Sequence, residues 1–534
     1  MSDPAALEAP AVGIRQPTPR KLLLLVGVVV AVWAMVALPA RATYGARVTA
    51  DEPQYLLSAL SLGEDLDLDI SDEIRERAYT PFHRVTLDPQ TEPNDDGREF
   101  SPHDPLLPAV LVVPMALGGW VAAKATLAVL AGVLAALLVW TAVERFGVGR
   151  RPATVVVLAF ALSAPLTSYG TQVYPELPAA LAVAVGIAAL TGSMGARDRW
   201  ALLAAVIALL WSSVKYGPVA VALVAVGAWT LWRRGDRRAV VGGAAVLVGA
   251  GLAYLLIHQV VYGGWTVYAA GDHFQEGGEF SVTGQSPDYL SRTQRLVGLL
   301  VDRGFGLVAW APVYLAAIPA LGALARRRPP QWPALVLPLA AGWANATWIA
   351  LTMHGWWWPG RQTVVVLPCL VLATCWWVGE LASSHSSGFA ALSNSGAADR
   401  GPSSWLLRLA PAQRRQPSQT LVLGVIAGLG VLGMVLWGWL VVEVLQERLT
   451  LIIDFESTRN PLYRAWRLVL PDLRNETSLT PVLLTAWIVL LGALAGWGWR
   501  SVGGSAGGDE DAGAGEGTDA HWPAVDVQRE GAVG

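Results

Sequence analysis

Long apolar runs, separated by short clusters of arginine, constrain this chain more than any other feature of its sequence. Of its 534 residues, 54% are hydrophobic and only 15% are charged, whereas a soluble globular chain has about 25% charged residues. Apolar runs of about 20 residues are long enough to cross a bilayer as helices. Many of the 25 tryptophans stand at the ends of these runs, where the amphipathic ring settles at headgroup level. The chain is therefore predicted to be an all-α polytopic membrane protein.

Hydropathy predicts about twelve membrane-spanning helices. The predicted ranges are 22–40, 121–143, 153–169, 176–195, 200–214, 217–232, 240–260, 306–325, 333–351, 362–380, 420–443 and 481–499. The first run follows Arg20 and Lys21 and is longer than the apolar part of a usual cleaved signal, so we expect a retained first span. The apolar stretch 105–119 is short and contains three prolines, so we expect it to be interfacial or re-entrant.

Arginine clusters give the predicted orientation, because cytoplasmic loops of membrane proteins carry an excess of Lys and Arg. When the predicted spans alternate across the membrane, every short basic cluster falls on the side of the basic N-terminal residues. These clusters lie at 145–151, 197–199, 233–238 and 326–328. Both termini are therefore predicted to be cytoplasmic. Arginine far outnumbers lysine, and Ala, Gly and Val are abundant, which indicates a GC-rich bacterial source and hence a bacterial plasma membrane.

The same pattern divides the chain into a membrane domain, a second group of spans and polar connecting segments. The predicted parts are a cytoplasmic N-terminal segment 1–21, a membrane domain 22–380 with an outer loop 41–104, a flexible cytoplasmic linker 381–418, C-terminal spans 419–500 with an outer loop 445–480, and a disordered acidic cytoplasmic tail 501–534.

Two adjacent carboxylates stand near the start of the first predicted outer loop. Asp51 and Glu52 precede Pro53, and Tyr55 follows in a stretch predicted to be a helix lying on the membrane. Carboxylates in this position can act as a general base or bind a divalent metal. Where a metal takes part, Asp51 and Glu52 are its predicted ligands. The alternative is a helix N-terminus whose acids are stabilised by the helix dipole.

Glu176 and Lys215 are further ionisable residues at predicted outer ends of spans. Glu176 follows Tyr174 and Pro175 at the start of an apolar run, where an acid is costly unless it is paired or functional. Lys215 stands in a tight turn between two short spans, where a cation can neutralise a phosphate. The alternatives are a plain N-terminal helix acid for Glu176 and snorkelling to the lipid headgroups for Lys215.

An aromatic and basic stretch precedes another predicted span and contains His354, Trp357 and Arg361. The guanidinium of Arg361 can hold a phosphate with two hydrogen bonds, and the tryptophans of this stretch can stack on a sugar or a lipid chain. An interfacial aromatic belt is the alternative. Asp302 and Arg303 precede the predicted span 306–325, and they either contribute to the same cavity or neutralise each other.

Several other functional signatures are missing from the sequence. It has no Walker-type loop, no Ser/His/Asp signature and no basic patch for nucleic acid, so no nucleic-acid partner is expected. Cys369 and Cys375 are the only cysteines and lie in one apolar run, which indicates neither a disulfide framework nor a zinc site. No internal repeat is visible, which disfavours a transporter built from inverted repeats.

Taken in order, these motifs resemble the GT-C superfamily of membrane glycosyltransferases, which use polyprenyl-phosphate sugars and include protein mannosyltransferases and lipid A aminoarabinose transferase. The resemblance rests on Asp51-Glu52 in the first outer loop, on Tyr174-Pro175-Glu176 at an outward helix end, and on the dozen predicted spans. Residues 302–306 with 311–314, and residues 358–361, resemble a bacterial branch of that superfamily. The likeness covers residues from about 40 to about 380, the bulk of the predicted membrane domain.

The resemblance implies a GT-C-like bundle that transfers a sugar, with inversion, from a polyprenyl-phosphate donor to a lipid, glycan or protein acceptor of the cell envelope on the outer face. When the roles of the family's residues are transferred to the matching positions of this chain, Asp51 is the base and is supported by Glu52. Glu176 is then a further acid, and Lys215 and Arg361 bind the donor phosphate. The other residues expected to line the substrate cavity are Tyr55, Tyr174, His354, Trp357, Asp302 and Arg303. A divalent metal is left open, and the acceptor cannot be carried over because the loop 445–480 is shorter than the soluble C-terminal portion of the aminoarabinose-transferase branch.

Two other classes of function compete with this interpretation. A lipid or solute transporter, or flippase, is expected to have charged residues in mid-membrane, broken helices and internal symmetry, whereas the ionisable residues here stand at span ends. A non-catalytic scaffold of envelope assembly would have no task for Asp51 and Glu52.

Overall fold

The computed structural model describes residues 17–88, 90–270, 287–394 and 418–502, and those up to Val502 belong to one compact unit. Within these ranges β structure is confined to isolated bridges, so the predicted all-α class is confirmed. The α-helices are α1 Arg20–Met35, α2 Glu52–Glu64, α3 Ser71–Arg75, α4 Leu106–Glu144, α5 Arg150–Ala161, α6 Glu176–Leu190, α7 Ala196–Ser212, α8 Gly217–Arg233, α9 Arg237–Tyr262, α10 Tyr289–Arg292, α11 Arg295–Val301, α12 Leu307–Trp310, α13 Ala317–Arg327, α14 Trp332–Ala344, α15 Leu367–Asn394, α16 Gln419–Leu445, α17 Pro461–Trp466 and α18 Thr480–Ser501.

Apolar helices occupy the positions that hydropathy predicts, but not all of them have the length of a membrane span. Six described segments are long and apolar enough to cross a bilayer: Leu106–Glu144, Val214–Arg233, Arg237–Ala270, Arg361–Ala382, Gln419–Leu445 and Thr480–Ser501. The helix α6 is apolar but shorter. The chain is thus a helical membrane protein, and the number of twelve spans stays a prediction.

Three predicted segments differ in the structure. Residues 106–117 are helical and continue into the next span, so that α4 has 39 residues with an interruption at Gly118 and Gly119. The interruption falls there because Gly119 adopts φ +60°, which glycine tolerates without strain. The predicted span 306–325 is broken by the 3-10 turn Pro312–Ala316 between α12 and α13, since proline lacks the N–H that a continuous helix needs. The first part of the predicted linker 381–418 is helical, because α15 extends to Asn394.

The linker beyond Asn394, most of the N-terminal segment 1–21 and nearly all of the tail 501–534 lie outside the described residues. Their predicted properties therefore stay predictions.

Glycines allow the helices of the bundle to approach one another closely. A Cβ atom on Gly132 of α4 would lie 2.3 Å from the carbonyl oxygen of Gly27 in α1. Cβ atoms on Gly322 and Gly498 would lie 2.0 and 1.9 Å from carbonyl oxygens where α13 meets α18. Close backbone contact at small residues is typical of helix packing in membranes, where apolar burial gives little net attraction between helices.

Three of the basic turns of the bundle lie together at one set of helix ends. Arg145 pairs with Asp198 at 3.3 Å and Arg199 pairs with Asp236 at 2.7 Å, which connects the turns α4–α5, α6–α7 and α8–α9. The opposite ends of α6 and α7 hold Glu176 and the turn with Lys215. The fold thus separates the arginine clusters from these candidate residues along the helix axes. That the basic end is cytoplasmic stays a prediction of the positive-inside rule.

Candidate active site at the helix ends

Four ionisable side chains from distant parts of the sequence form one connected group. Arg361 contacts Asp51 through Nη2 and Oδ2 at 2.6 Å, and contacts Glu176 through Nε and Oε1 at 2.9 Å. The Nζ atom of Lys215 lies 2.7 Å from the same Oε1 of Glu176. The side chains of Arg361 and Glu176 are 7% and 1% exposed, whereas that of Asp51 is 21% exposed. The structure therefore brings together all four residues that the sequence predicts as base, second acid and phosphate ligands.

Each member of this group stands where a helix begins or where the chain turns between helices. Asp51 directly precedes α2 and Glu176 is the first residue of α6. Lys215 lies in the 3-10 turn Val214–Tyr216 between α7 and α8. Arg361 starts the 3-10 turn that leads into α15 and follows Gly360. Two acids at helix N-termini are favoured by the helix dipole, so local structure alone helps to keep Asp51 and Glu176 ionised.

Arg361 is held between two aromatic rings as well as between two carboxylates. Its guanidinium carbon lies 4.1 Å from the ring centre of Tyr174 and 4.9 Å from that of Trp357. An arginine over an aromatic face gains cation–π attraction, which is larger where water is excluded. Tyr174 and Trp357, both predicted to line the cavity, therefore fix the plane in which Arg361 presents its N–H groups.

The carboxylate of Asp51 also belongs to a series of hydrogen-bonded side chains from the first loop. Gln90 donates to Asp51 at 3.4 Å, and His103 lies 3.0 Å from the other end of the Gln90 amide. The ring of Tyr55, another predicted cavity residue, stacks on His103 at 4.6 Å. Burial by itself would raise the pKa of Asp51, but the positive charge of Arg361 outweighs it and holds the pKa of that carboxyl well below its usual range. Asp51 is thus an ionised but weak base while Arg361 contacts it.

Glu52 faces away from Asp51 and has structural partners. Its two carboxylate oxygens accept the backbone N–H groups of Val173 at 2.8 Å and of Thr49 at 3.0 Å. Glu52 therefore links the start of α2 to the segment before α6, which places Asp51 opposite Glu176. Lys124, a buried lysine inside α4, donates to the carbonyl of Arg47 at 2.7 Å and supplies positive charge near Glu52. The geometry gives Glu52 a supporting position rather than a second reactive carboxylate.

Asp302, Arg303 and His354 form a separate group whose polar contacts are with other segments. Asp302 accepts N–H groups of Gly304, Phe305 and Leu473, and lies 3.6 Å from the His354 ring. Arg303 pairs with Asp472 at 3.4 Å. The two residues thus do not neutralise each other, and both attach the start of α12 to the predicted loop 445–480. Their assignment to the substrate cavity stays a prediction.

A narrow pocket opens beside the ionic group. Its walls include Glu176, Lys215 and Arg361, together with Tyr216 and Asn345, and it has room for about one water molecule. Oε2 of Glu176 and the hydroxyl of Tyr216 are buried without a hydrogen-bond partner among the described residues. Buried polar atoms are normally paired, and the Tyr216 hydroxyl is close enough to the Glu176 carboxyl to interact with it. Asn345 begins a π-helical turn at the end of α14, an irregularity that is frequent at functional sites.

The predicted metal ligands Asp51 and Glu52 do not fit a metal in this arrangement. Asp51 already pairs with a guanidinium, and both oxygens of Glu52 accept backbone N–H groups. In the described part of the chain, the three acidic, His or Cys residues close enough to share an ion are Asp65, Asp72 and Glu73. A catalytic metal therefore stays a prediction.

Sequence reasoning missed several residues of this site. His103, Gln90 and Tyr216 lie in stretches without periodic pattern, so nothing in the sequence separates them from ordinary loop residues. Lys124 did carry a signal, because a single lysine within an apolar span is costly and is therefore usually paired or functional.

Comparison with known proteins gives similarity at the level of structure only. No protein-family model and no curated protein matches the chain. The chain is similar to ArnT from Cupriavidus metallidurans bound to undecaprenyl phosphate, with 15% identity over 90% of this chain and 78% of that one and a TM-score of 0.47. The apo state of the same protein gives a TM-score of 0.44 with the same identity and coverage.

The Archaeoglobus fulgidus oligosaccharyltransferase in the apo form is also similar, with 13% identity over 78% of this chain and 56% of that one and a TM-score of 0.38. Both neighbours are glycosyltransferases of the GT-C superfamily, which the sequence motifs resemble. The likeness concerns the arrangement of helices and assigns no role to any side chain.

Proposed function

We propose that this chain is a membrane glycosyltransferase that transfers a sugar from a polyprenyl-phosphate-sugar donor to an acceptor of the cell envelope, with inversion at the anomeric carbon. One observation carries the proposal. A candidate base, Asp51, and two candidate phosphate ligands, Arg361 and Lys215, belong to one buried ionic group at the ends of membrane helices. Sugar transfer from a lipid phosphate needs this combination, because the acceptor loses a proton while the phosphate leaves with negative charge.

In the proposed reaction, the acceptor hydroxyl oxygen forms a bond to the anomeric carbon while the bond from that carbon to the donor phosphate oxygen breaks. The electron pair of the broken bond stays on the phosphate, next to Arg361 and Lys215. The hydroxyl proton passes to Asp51. Glu176 holds both cations, since its Oε1 contacts each of them. We therefore assign Glu176 to positioning the phosphate ligands.

Donor binding also makes Asp51 a better base. The donor phosphate competes with Asp51 for the N–H groups of Arg361, which now lower the pKa of that carboxyl. As Arg361 turns to the phosphate, the pKa of Asp51 rises towards that of a buried carboxyl without a cation. Asp51 is consequently a stronger base only when the donor is bound. Without donor, its low pKa keeps the carboxyl unprotonated.

An apolar groove next to the ionic group fits the lipid part of the donor. It lies between α7, α8 and α9, has a volume of about 280 Å³, and includes Gly217, two residues from Lys215. Its walls are almost entirely apolar, with Trp211 and Tyr254 among them. A polyprenyl chain lying there would place its phosphate beside Lys215.

The test is transfer by purified protein supplied with radiolabelled polyprenyl-phosphate sugars and envelope extract. The wild-type protein is expected to give labelled product, and Asp51→Asn, which keeps the size and removes the charge, to lower the rate about 10²–10⁴-fold. Glu92→Gln, an exposed acid of the same loop, is the matched control and should leave the rate unchanged. Undiminished transfer by Asp51→Asn would remove Asp51 from the mechanism. Absence of product with every donor, together with measurable lipid flipping, would favour the transporter.

A further inference from the structure

A second group of acids lies at the other end of α2, away from the ionic group. Asp65 directly follows α2, and Asp72 and Glu73 lie in the first turn of α3. Their carboxylate oxygens lie within 4.8 Å of one another. With 13 residues, α2 is about 20 Å long, so this acidic group is well separated from Asp51. Nothing in the proposed transfer reaction uses it.

Glu73 sets this group apart from ordinary surface acids. The residue is only 5% exposed, and both of its carboxylate oxygens are buried without a hydrogen-bond partner among the described residues. Burying an unpaired carboxylate is strongly unfavourable. The fold therefore keeps a buried acid that meets no basic or hydroxyl partner among the described residues, with Asp72 of the same acidic group as its side-chain neighbour.

Nearby acids of the same loop show what satisfied carboxylates look like here. Asp67 accepts hydrogen bonds from the Ser61 hydroxyl and from the backbone of Asp69. Asp69 accepts the N–H groups of Ser71 and Glu99. These two acids shape the loop between α2 and α3, and the shaped loop brings Asp65 next to Asp72 and Glu73. The contrast indicates that the unpaired carboxylates are oriented by the fold.

No Lys, Arg or His side chain of the described residues forms an ion pair with any of the three acids. Asp65 also stands at the C-terminal end of α2, where the helix dipole disfavours an anion. Three like charges within 4.8 Å, with one of them buried, are stable only with shared protons or with a cation among them.

We propose that Asp65, Asp72 and Glu73 bind one divalent cation of the Ca²⁺ type, which fixes the end of α2 to α3. The ligands are all carboxylate oxygens, which hard cations prefer over the soft ligands of transition metals. Calcium lies about 2.3–2.6 Å from each oxygen, so its ligands are at most about 5 Å apart, and the three carboxylates lie within 4.8 Å of one another. Water completes the coordination on the exposed side of Asp65. The cation stabilises the first loop and takes no part in sugar transfer.

Equilibrium dialysis of the full-length protein with ⁴⁵Ca²⁺, after EDTA treatment in detergent, tests the proposal directly. We expect one bound Ca²⁺ per chain for the wild type and for the control Glu92→Gln, and at least a tenfold loss of affinity for Glu73→Gln and Asp65→Asn. Added Ca²⁺ should also raise the unfolding midpoint of the wild type by about 2 °C or more, but not that of Glu73→Gln. Asp72→Asn is the substitute if either variant fails to fold.

Two results would overturn the proposal. One is absence of stoichiometric Ca²⁺ binding by the wild-type protein, combined with a Glu73→Gln variant that is more stable than the wild type, since the acids would then share protons alone. The other is Ca²⁺ binding that is unchanged in all three acid variants. Because binding and unfolding are measured without substrate, the outcome is independent of whether the chain transfers sugar.

Discussion

Replacing Arg361 by glutamine should shift the pH dependence of transfer, because this arginine determines how basic Asp51 is. The guanidinium lies 2.6 Å from the Asp51 carboxylate and lowers its pKa well below the usual range. In Arg361→Gln, burial of the carboxyl remains and the main opposing charge is lost. An adjacent arginine lowers the pKa of an aspartate by about 1–3 units, and each unit corresponds to about 1.4 kcal/mol.

The direction of this pH shift follows from the protonation state of Asp51 that the reaction needs. Asp51 must be unprotonated to accept the acceptor's proton, so activity falls as pH drops through the pKa of Asp51. A higher pKa in Arg361→Gln therefore moves the acid limb of kcat/KM for the donor upward by about 1–3 pH units, because this parameter reports the donor-free protein in which Arg361 contacts Asp51. At neutral pH the variant should also require more donor, because one phosphate ligand is lost.

The assay is the initial rate of transfer between pH 4 and 9 at low donor concentration, with each variant checked for folding at each pH. Arg84→Gln, which changes an exposed arginine in the first loop, is the control and should keep the wild-type limb. An acid limb that stays in place in Arg361→Gln, although the donor requirement rises, would show that Arg361 does not control Asp51. The proposed coupling between donor binding and the basicity of Asp51 would then be wrong.

Three further predictions concern stability and orientation. Glu52→Gln keeps only one acceptor oxygen for two backbone N–H groups, so it should lower the free energy of unfolding by about 1–3 kcal/mol, measured by denaturant titration against Glu92→Gln. Gly360→Ala should be destabilising by about 1–3 kcal/mol, because φ is +83° and the new Cβ would lie 2.9 Å from a Leu307 methyl; an unchanged unfolding midpoint would contradict the strain. With both native cysteines buried, Glu92→Cys should react with an impermeant thiol reagent from outside intact cells and Arg197→Cys only after permeabilisation, whereas reversed labelling would refute the predicted topology.

The general plan of the molecule could be predicted because it depends on the lengths of apolar runs and on the alternation of basic turns. The alternation also predicted that residues near positions 51, 176, 215 and 361 meet at one set of helix ends, and their ion pairs bring them together. Hydropathy did not predict the break at Pro312, because a sliding average does not register a missing backbone N–H.

Individual partners could not be predicted, because they depend on where side chains point. The neighbours Asp51 and Glu52 look equivalent in the sequence, yet one faces Arg361 and the other accepts two backbone N–H groups. The two side chains point in different directions because Asp51 directly precedes α2 whereas Glu52 is its first residue. The contact between Gln90 and His103 likewise depends on the path of an irregular loop, for which the sequence has no periodic signal.

The balance of charge in the ionic group suits the proposed reaction. Asp51 and Glu176 offset Arg361 and Lys215, so the resting group is neutral. A polyprenyl-phosphate sugar is a phosphodiester and brings one negative charge. During transfer Asp51 becomes neutral by accepting a proton, and the leaving phosphate becomes more negative by one unit. The reaction thus moves one negative charge from Asp51 to the leaving phosphate without changing the total. In a site where water is scarce, keeping the total constant avoids the large cost of creating unpaired charge.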